Sequence, residues 1–300
     1  MYFQLAFIMT FNQPTEYLPN RMQILFYRPA PIQMSYLGFP GTTGADFVDY
    51  IVGDKIVIPQ EAVQFFSEKC IYLPGSYFVY DNRQKIAENN YTRTDFDLPA
   101  TGFVFASFCR TSKIEPDLFD TWLRILARVP DSVLWLASTK NSFMEKIKLY
   151  AARQGVAPER IIFAGRLATK EEHLARVRLS DLALDTIPYN GHTTTCDVLW
   201  AGVPVLTTLG THFASRVSAS ILSALEIPEL ICEDLGKYEE QALSLAANPA
   251  MLKTIRAKIN NRRENSSFFD TPLYVKNLEA GYRQAWNRYR EGRMPENIEV

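Results

Sequence analysis

The stretch Leu184-Asp185-Thr-Ile-Pro188-Tyr189-Asn190-Gly191-His192-Thr193-Thr194-Thr195-Cys-Asp197-Val-Leu-Trp200-Ala-Gly202-Val-Pro204-Val-Leu206 decides how the chain is read. A β-rich apolar run ends at Asp185, a loop punctuated by Pro188 and Gly191 follows, and a helix is predicted to begin near Thr193. The first turn of a helix has amides without intrahelical partners and carries the positive end of the dipole, so such a junction collects phosphate. Thr193, Thr194 and Thr195 add hydroxyl donors there. Asp197 shares the face of Thr193 and Thr194, one turn further from the loop. A carboxylate so placed repels a phosphate but can accept from ribose hydroxyls, which suits a nucleotide better than a lone phosphate. The residues alone also allow an ordinary helix end, with Thr193 or Thr194 as its cap and Asp197 near the positive end of the dipole.

Working outward, short β-rich runs alternate with longer helical patterns from Phe103 onward. Strands are predicted at Phe103–Phe108, Val133–Ala137, Arg160–Ala164, Asp181–Asp185, Pro204–Thr208 and Glu229–Cys232. The helix over Pro116–Val129 places Leu118, Trp122, Ile125, Leu126 and Val129 on one face. This alternation predicts an α/β fold with a mainly parallel sheet covered by helices. Ligands of such sheets bind at the carboxyl ends of the strands, so the loops after Phe108, Ala164, Asp185 and Thr208 are the ones of interest. The rest is helical (Tyr238–Ala247, Pro249–Asn265, Pro272–Tyr289), a tail expected to pack outside that sheet. The first hundred residues read as the end of another unit, with a short apolar strand and a Gly/Pro-punctuated loop in Arg28–Gly44 and a strand over Phe47–Asp54. The polar run Asp81–Pro99 puts the boundary near residue 97, giving units 1–97 and 98–300.

Lys plus Arg (32) nearly cancels Asp plus Glu (33), which leaves no basic field for a nucleic-acid backbone or an anionic membrane. A bound anion must therefore be caught by local geometry. Cys70, Cys109, Cys196 and Cys232 form no CxxC pair, so neither zinc nor a disulfide framework is expected and a cytoplasmic setting fits. The apolar stretch Met1–Phe11 lacks a basic leader and is too short to span a bilayer.

Several segments resemble, in order, the catalytic domain of O-GlcNAc transferases of the SPINDLY and bacterial type. They are Arg28-Pro-Ala-Pro-Ile-Gln33, Leu37-Gly-Phe-Pro-Gly-Thr-Thr-Gly44, Arg128-Val-Pro130 with Ser132-Val-Leu-Trp-Leu136, Lys170-Glu-Glu-His173, Asn190-Gly-His-Thr-Thr194 with Asp197-Val-Leu-Trp-Ala-Gly202, and Ala214-Ser-Arg-Val217. The resemblance implies the C-terminal Rossmann-like domain of a GT-B glycosyltransferase, preceded by the end of its N-terminal domain. The implied reaction moves a sugar, expected to be N-acetylglucosamine, from a UDP donor to protein Ser or Thr hydroxyls without a metal. Lys113 matches the family lysine at the donor diphosphate and His192 the histidine at the donor sugar and phosphates; these two are the expected catalytic pair. Lys170 and His173 match the uridine-binding lysine and histidine, with Arg176 one turn on. Leu37 and Gly38 match the loop at the sugar, where a residue without Cβ lets backbone approach closely. Thr193, Thr194 and Asp197 complete the donor site.

Some positions depart from the family pattern. Arg110 stands where animal enzymes have glutamine at the phosphates, and Tyr189 where they have a small cysteine. The chain has no histidine before His173, whereas the family's N-terminal domain supplies active-site histidines and is preceded by helical repeats. The chain is therefore expected to be N-terminally truncated, with a missing half-domain or repeat region as partner beside the nucleotide sugar and the peptide acceptor. Three alternatives stay open: a nucleotide-binding remnant without turnover, an O-fucosyltransferase using a GDP-sugar, and a sugar epimerase of GT-B architecture.

Overall fold

The computed structural model describes residues 5–8, 22–138 and 140–300. Most of the apolar stretch 1–11 lies outside the described residues. Among those residues the chain forms two parallel sheets, and no helix is long and apolar enough to cross a membrane.

The first sheet takes β1 (Leu5–Ile8), β2 (Ile32–Ser35), β3 (Tyr50–Gly53) and β4 (Lys69–Tyr72), with the short helix α1 (Gln23–Phe26) between the first two. The second takes β5 (Val104–Ser107), β6 (Val133–Ala137), β7 (Ile161–Ala164), β8 (Leu182–Leu184), β9 (Val205–Thr208) and β10 (Ile231–Cys232). Its helices are α2 (Pro116–Arg128), α3 (Asn141–Arg153), α4 (Lys170–Val177), α5 (Thr193–Trp200), α6 (Val217–Ala224), α7 (Leu235–Ala247) and α8 (Pro249–Asn265). Strands β5, β8 and β9 are buried along their whole length, as apolar strands covered on both faces should be. In α2, Leu118, Trp122, Ile125 and Leu126 all face the core.

The second sheet runs β10-β9-β8-β5-β6-β7, every described pair parallel. Strand order reverses between β5 and β8, and the loops leaving their carboxyl ends diverge there to opposite sides. Such a crevice is where open α/β sheets bind ligands. The 113 and 185–192 regions both flank it.

Past α8 the chain departs from the expected course. Helix α9 (Thr271–Arg290) lies on the first sheet rather than outside the second, and β11 (Ile298–Glu299) pairs with β4. The cause is apolar surface: Ile32, Met34, Tyr50, Val52 and Ile71 of the first sheet form a core that Tyr274, Ala285 and Ile298 close. A continuous core also joins the units, running from Ile51, Val57 and Ile58 through Tyr77 and Phe78 to Leu184 and Ile221.

Gly281 shows how closely α9 sits. A Cβ built there would lie 2.6 Å from Ile71 Cγ2 and 3.2 Å from Val300 Cγ2. Gly281→Ala would gain about 1 kcal/mol of helix propensity, but overpacking of this kind costs about 1–3 kcal/mol. The variant is expected to melt at a lower temperature than the parent, and a higher one would show that α9 does not approach β4 so closely.

Candidate functional site

The crevice is shaped first by Asp185, at the end of β8. Its buried carboxylate accepts from Gly191 N at 2.7 Å, Thr186 N at 2.8 Å and Thr207 Oγ1 at 2.7 Å, closing residues 185–191 into a tight loop. Asn190, also buried, donates through Nδ2 to Thr186 O at 3.0 Å, and its amide donates to Ala214 O. Gly191 has no room for a side chain: a Cβ would stand 2.5 Å from Thr195 Oγ1 and 3.2 Å from Asp185 Oδ1.

This loop delivers His192 to the N-cap of α5, and no side chain caps the helix. Thr195 is turned inward, its hydroxyl 2.8 Å from that of Ser218. Thr193 is exposed, and Thr194 reaches the Cys109 thiol. The three threonines thus separate into one structural residue and two at the crevice. Neither Thr193 nor Thr194 is the N-cap that the plain helix-end reading requires.

The loop after β5 supplies Arg110 and, in the 3₁₀ turn Thr111–Lys113, Lys113. Lys113 Nζ donates to Asn190 O at 2.8 Å and sits 3.9 Å from the centroid of the Tyr189 ring. Tyr189 in turn stacks on His192, centroids 5.2 Å apart. Burial draws the Lys113 ammonium below the ordinary lysine value, with Cys109 and Asp185 opposing. Burial, then the charge of Lys113, pushes His192 down to about 3, so its imidazole is neutral. The His192 Nε2 atom is enclosed and has no hydrogen-bond partner among the described residues. Arg110 is exposed beside Lys113 and Tyr189 and acts on both electrostatically.

The third wall is the start of α4. Thr169 caps it, accepting from Glu172 N at 3.2 Å while the Glu172 carboxylate accepts from Thr169 N at 3.1 Å. Lys170 pairs with Asp197 of α5, Nζ to Oδ1 at 2.9 Å. The Tyr80 hydroxyl donates to the same oxygen at 2.6 Å. One turn on, the buried Arg176 donates from Nε to His173 Nδ1 at 3.1 Å and also reaches Gly165 O. That bond leaves the imidazole proton on Nε2. The guanidinium lies among the rings of Phe96, Phe108 and Trp135, so Arg176 acts through His173. Burial and then the Arg176 charge bring His173 down to about 4.

Leu37 and Gly38 come from the other unit, on the loop after β2. Leu37 adopts φ 60° and packs, half-buried, on the core that joins the units. The far end of this loop is clipped by the buried Glu68, which accepts from Thr43 N at 2.6 Å, Thr42 Oγ1 at 2.7 Å and Thr43 Oγ1. Sequence reasoning named neither Glu68 nor Tyr80. A glutamate between polar neighbours and a tyrosine in a turn-rich stretch carry no local signal of burial. Asp185 and Asn190 stood inside the decisive stretch, but only the loop geometry shows what they hold.

The family profile of glycosyl transferase family 41 matches residues 17–90 and 85–278. The chain belongs to that family. A probable UDP-N-acetylglucosamine–peptide N-acetylglucosaminyltransferase of Arabidopsis thaliana, SEC, is 42% identical over 286 residues, which are 93% of this chain and 29% of that protein. A UDP-N-acetylglucosamine–peptide N-acetylglucosaminyltransferase of Caenorhabditis elegans is 28% identical, covering 91% of this chain and 33% of that protein. The family 41 chain thus spans about a third of the length of these relatives. Among solved structures, a mutant O-GlcNAc transferase of Thermobaculum terrenum superposes with a TM-score of 0.79 at 29% identity, over 89% of this chain and 50% of that one. The second sheet with its helices is therefore the C-terminal Rossmann-like domain of the GT-B architecture.

The two histidines of the crevice have a thermodynamic signature. Both fold with pKa values (about 4 and about 3) below the 6.5 of free imidazole. The unfolded chain therefore binds protons first: stability is whole above pH 6.5 and is lost as pH falls toward those lower values. The groups facing His173 are Arg176, Lys170 and Asp197; His192 faces Lys113. Melting temperature is expected to drop more steeply between pH 6.5 and 4 in the parent than in His173→Gln/His192→Gln. Identical slopes would show that neither imidazole is held neutral.

Proposed function

We propose that the crevice between β5 and β8 binds the nucleoside diphosphate of a UDP-sugar, and that the chain transfers the sugar, N-acetylglucosamine, to protein Ser or Thr hydroxyls. The observation that carries this reading is the convergence of Lys113, the side-chain-uncapped first turn of α5 and the Lys170–Asp197 pair at one topological switch point. A diphosphate laid across the first turn of α5 meets amides, the Thr193 and Thr194 hydroxyls and the Lys113 ammonium. The ribose then falls near Asp197 and Lys170, and the base near His173. The Arabidopsis and Caenorhabditis relatives are named for the same donor and acceptor classes.

The chemistry follows from the charges. The acceptor hydroxyl attacks the anomeric carbon as the bond from that carbon to the β-phosphate oxygen breaks; the hydroxyl proton leaves to solvent or to the diphosphate, and negative charge grows on the departing group. Lys113, Arg110 and the α5 amides stabilise it there. In this reading these groups serve where another glycosyltransferase would use a cation. Neutral His192, stacked on Tyr189, donates its one ring N–H to the Ala214 carbonyl, so its unpartnered Nε2 is an acceptor suited to a sugar hydroxyl. Leu37 and Gly38 bound the sugar from the other unit. A further segment or partner carrying the rest of the first unit is proposed to engage the acceptor. All four cysteines are free and buried, which supports action in a reducing, cytoplasmic setting.

One observation favours a second reading. The three histidines of the sequence, His173, His192 and His212, all come from the second unit, and His212 is exposed at the start of a short 3₁₀ turn. A chain that binds donor without turnover would have the same crevice. Measuring UDP release from UDP-N-acetylglucosamine with and without a peptide acceptor separates the two, and a GDP titration tests the GDP-sugar alternative.

The donor reading has a direct test. Lys113→Ala removes a charge-assisted contact worth about 1.5–3 kcal/mol, so UDP is expected to bind at least roughly tenfold more weakly by calorimetry. Unchanged affinity would remove Lys113 from the site. Chelator is expected to leave binding and release unaltered, and loss of release that manganese restores would overturn metal independence.

A further inference from the structure

We propose that Tyr80 is a positioning residue of the donor site: its hydroxyl fixes one oxygen of the Asp197 carboxylate so that the other is presented to the ribose hydroxyls of the bound nucleotide. The inference rests on the donor-site reading above and adds to it a residue that the family motifs quoted above do not contain.

Tyr80 is 4% exposed. Its hydroxyl donates to Asp197 Oδ1 at 2.6 Å, and Lys170 Nζ approaches the same atom at 2.9 Å. Two donors on Oδ1 fill its two lone-pair directions. Asp197 Oδ2 is engaged by neither. The carboxylate is therefore asymmetric, with one oxygen committed to protein and one directed elsewhere, and its side chain stays partly exposed at 13%.

The phenol is itself held on several sides. Its ring lies 5.6 Å from that of Trp200, at the end of α5, and 6.0 Å from that of Phe269 in the 3₁₀ turn Ser267–Phe269. Lys170 Nζ sits 4.8 Å from the ring centroid. Thr271 Oγ1 donates to the Tyr80 carbonyl at 3.1 Å and pins its backbone. A ring wedged in this way cannot follow a rotating carboxylate, so the carboxylate must follow the ring. Burial, reinforced by the charge of Asp197, also raises the phenol far above its ordinary pKa, which keeps it a donor.

A carboxylate free to turn about its last torsion loses that freedom when ribose binds, and one already oriented does not. Tyr80 thus removes an ordering cost from nucleotide binding. It also couples the units: Tyr80 follows β4 of the first sheet, whereas Asp197 and Lys170 belong to the second. If the phenol only filled space, the hydroxyl would be dispensable.

The test uses the 300-residue chain, titrated by calorimetry with UDP and separately with inorganic pyrophosphate. The variants are Tyr80→Phe, Asp197→Ala and the double variant, each with a melting curve. Tyr80→Phe keeps the ring against Trp200, Phe269 and Lys170 and loses only the hydroxyl. It is expected to weaken UDP roughly fivefold, to leave pyrophosphate unchanged, and to add nothing once Asp197 is alanine. If Asp197→Ala weakens UDP selectively while Tyr80→Phe does not, the donor reading stands and the positioning role falls. Equal weakening of both ligands by Tyr80→Phe, with a lower melting temperature, assigns Tyr80 to packing and also overturns it. If Asp197→Ala leaves the UDP-to-pyrophosphate ratio unaltered, Asp197 leaves the donor site and the proposal goes with it.

Discussion

The geometry of the crevice depends on one buried carboxylate. Asp185 ends β8 inside the protein, where burial raises its pKa and an unpaired charge would be strongly unfavourable. Gly191 N, Thr186 N and Thr207 Oγ1 answer it, two from the following loop and one from the neighbouring strand β9. Satisfying that carboxylate is what curls residues 185–191 back on themselves. The curl then fixes everything downstream: it turns the Asn190 carbonyl toward Lys113, leaves no volume for a Cβ at residue 191, and starts α5 at the mouth of the crevice. Any anion bound at this helix end is held by a loop that a buried acid has shaped.

A second buried acid governs how the units meet. Asp54, just past β3, accepts from Ile56 N at 2.8 Å, Val57 N at 3.0 Å and Tyr77 N at 2.8 Å, and from Ser220 Oγ of α6 at 2.7 Å. Arg216, within Ala214-Ser-Arg-Val217, donates to Ile56 O and, at 2.7 Å, to Gly210 O. In this chain Arg216 therefore serves as a clamp between units. Together with the shared core, the clamp sets where the Leu37–Gly38 loop stands relative to α5.

The second sheet was legible because buried parallel strands are short apolar runs and its helices show one apolar face. Predicted strand ends such as those of Val133–Ala137 coincide with the observed ones, and others move by a residue or two. The first unit was less legible. β4 begins at an exposed lysine, and β11 has two residues whose partners are far off in the chain. No local pattern announces a strand that exists because a distant edge is open. The same limit applied to the site. The helix face suggested Asp197 for a nucleotide, while Lys113 and Lys170 were implied only by the family resemblance. The structure pairs Lys170 with Asp197 and sets Lys113 against the loop before α5, but the Tyr80–Asp197 bond spans 117 positions and lies beyond periodicity. Arg176 was grouped with the uridine contacts on spacing; its burial among three rings makes it the group that orients His173.

With charges nearly balanced over the whole chain, selection for an anionic leaving group must come from where single cations stand. Lys113 and Lys170 are both engaged by protein acceptors, but in different ways. Lys170 faces a full carboxylate, so its charge is matched and it is suited to orient Asp197. Lys113 faces a neutral carbonyl and an aromatic face, and burial already draws its pKa down. Apart from the opposing influence of Asp185, its charge is matched by no direct carboxylate partner among the described residues, so a phosphate approaching it is attracted more strongly than it would be in water. That attraction is greatest when the phosphate carries the most charge, which in the proposed reaction is the moment the sugar departs. In the proposed reaction this asymmetry suits Lys113 to the energetics of leaving and Lys170 to those of recognition, a division that their shared side-chain chemistry alone would not reveal.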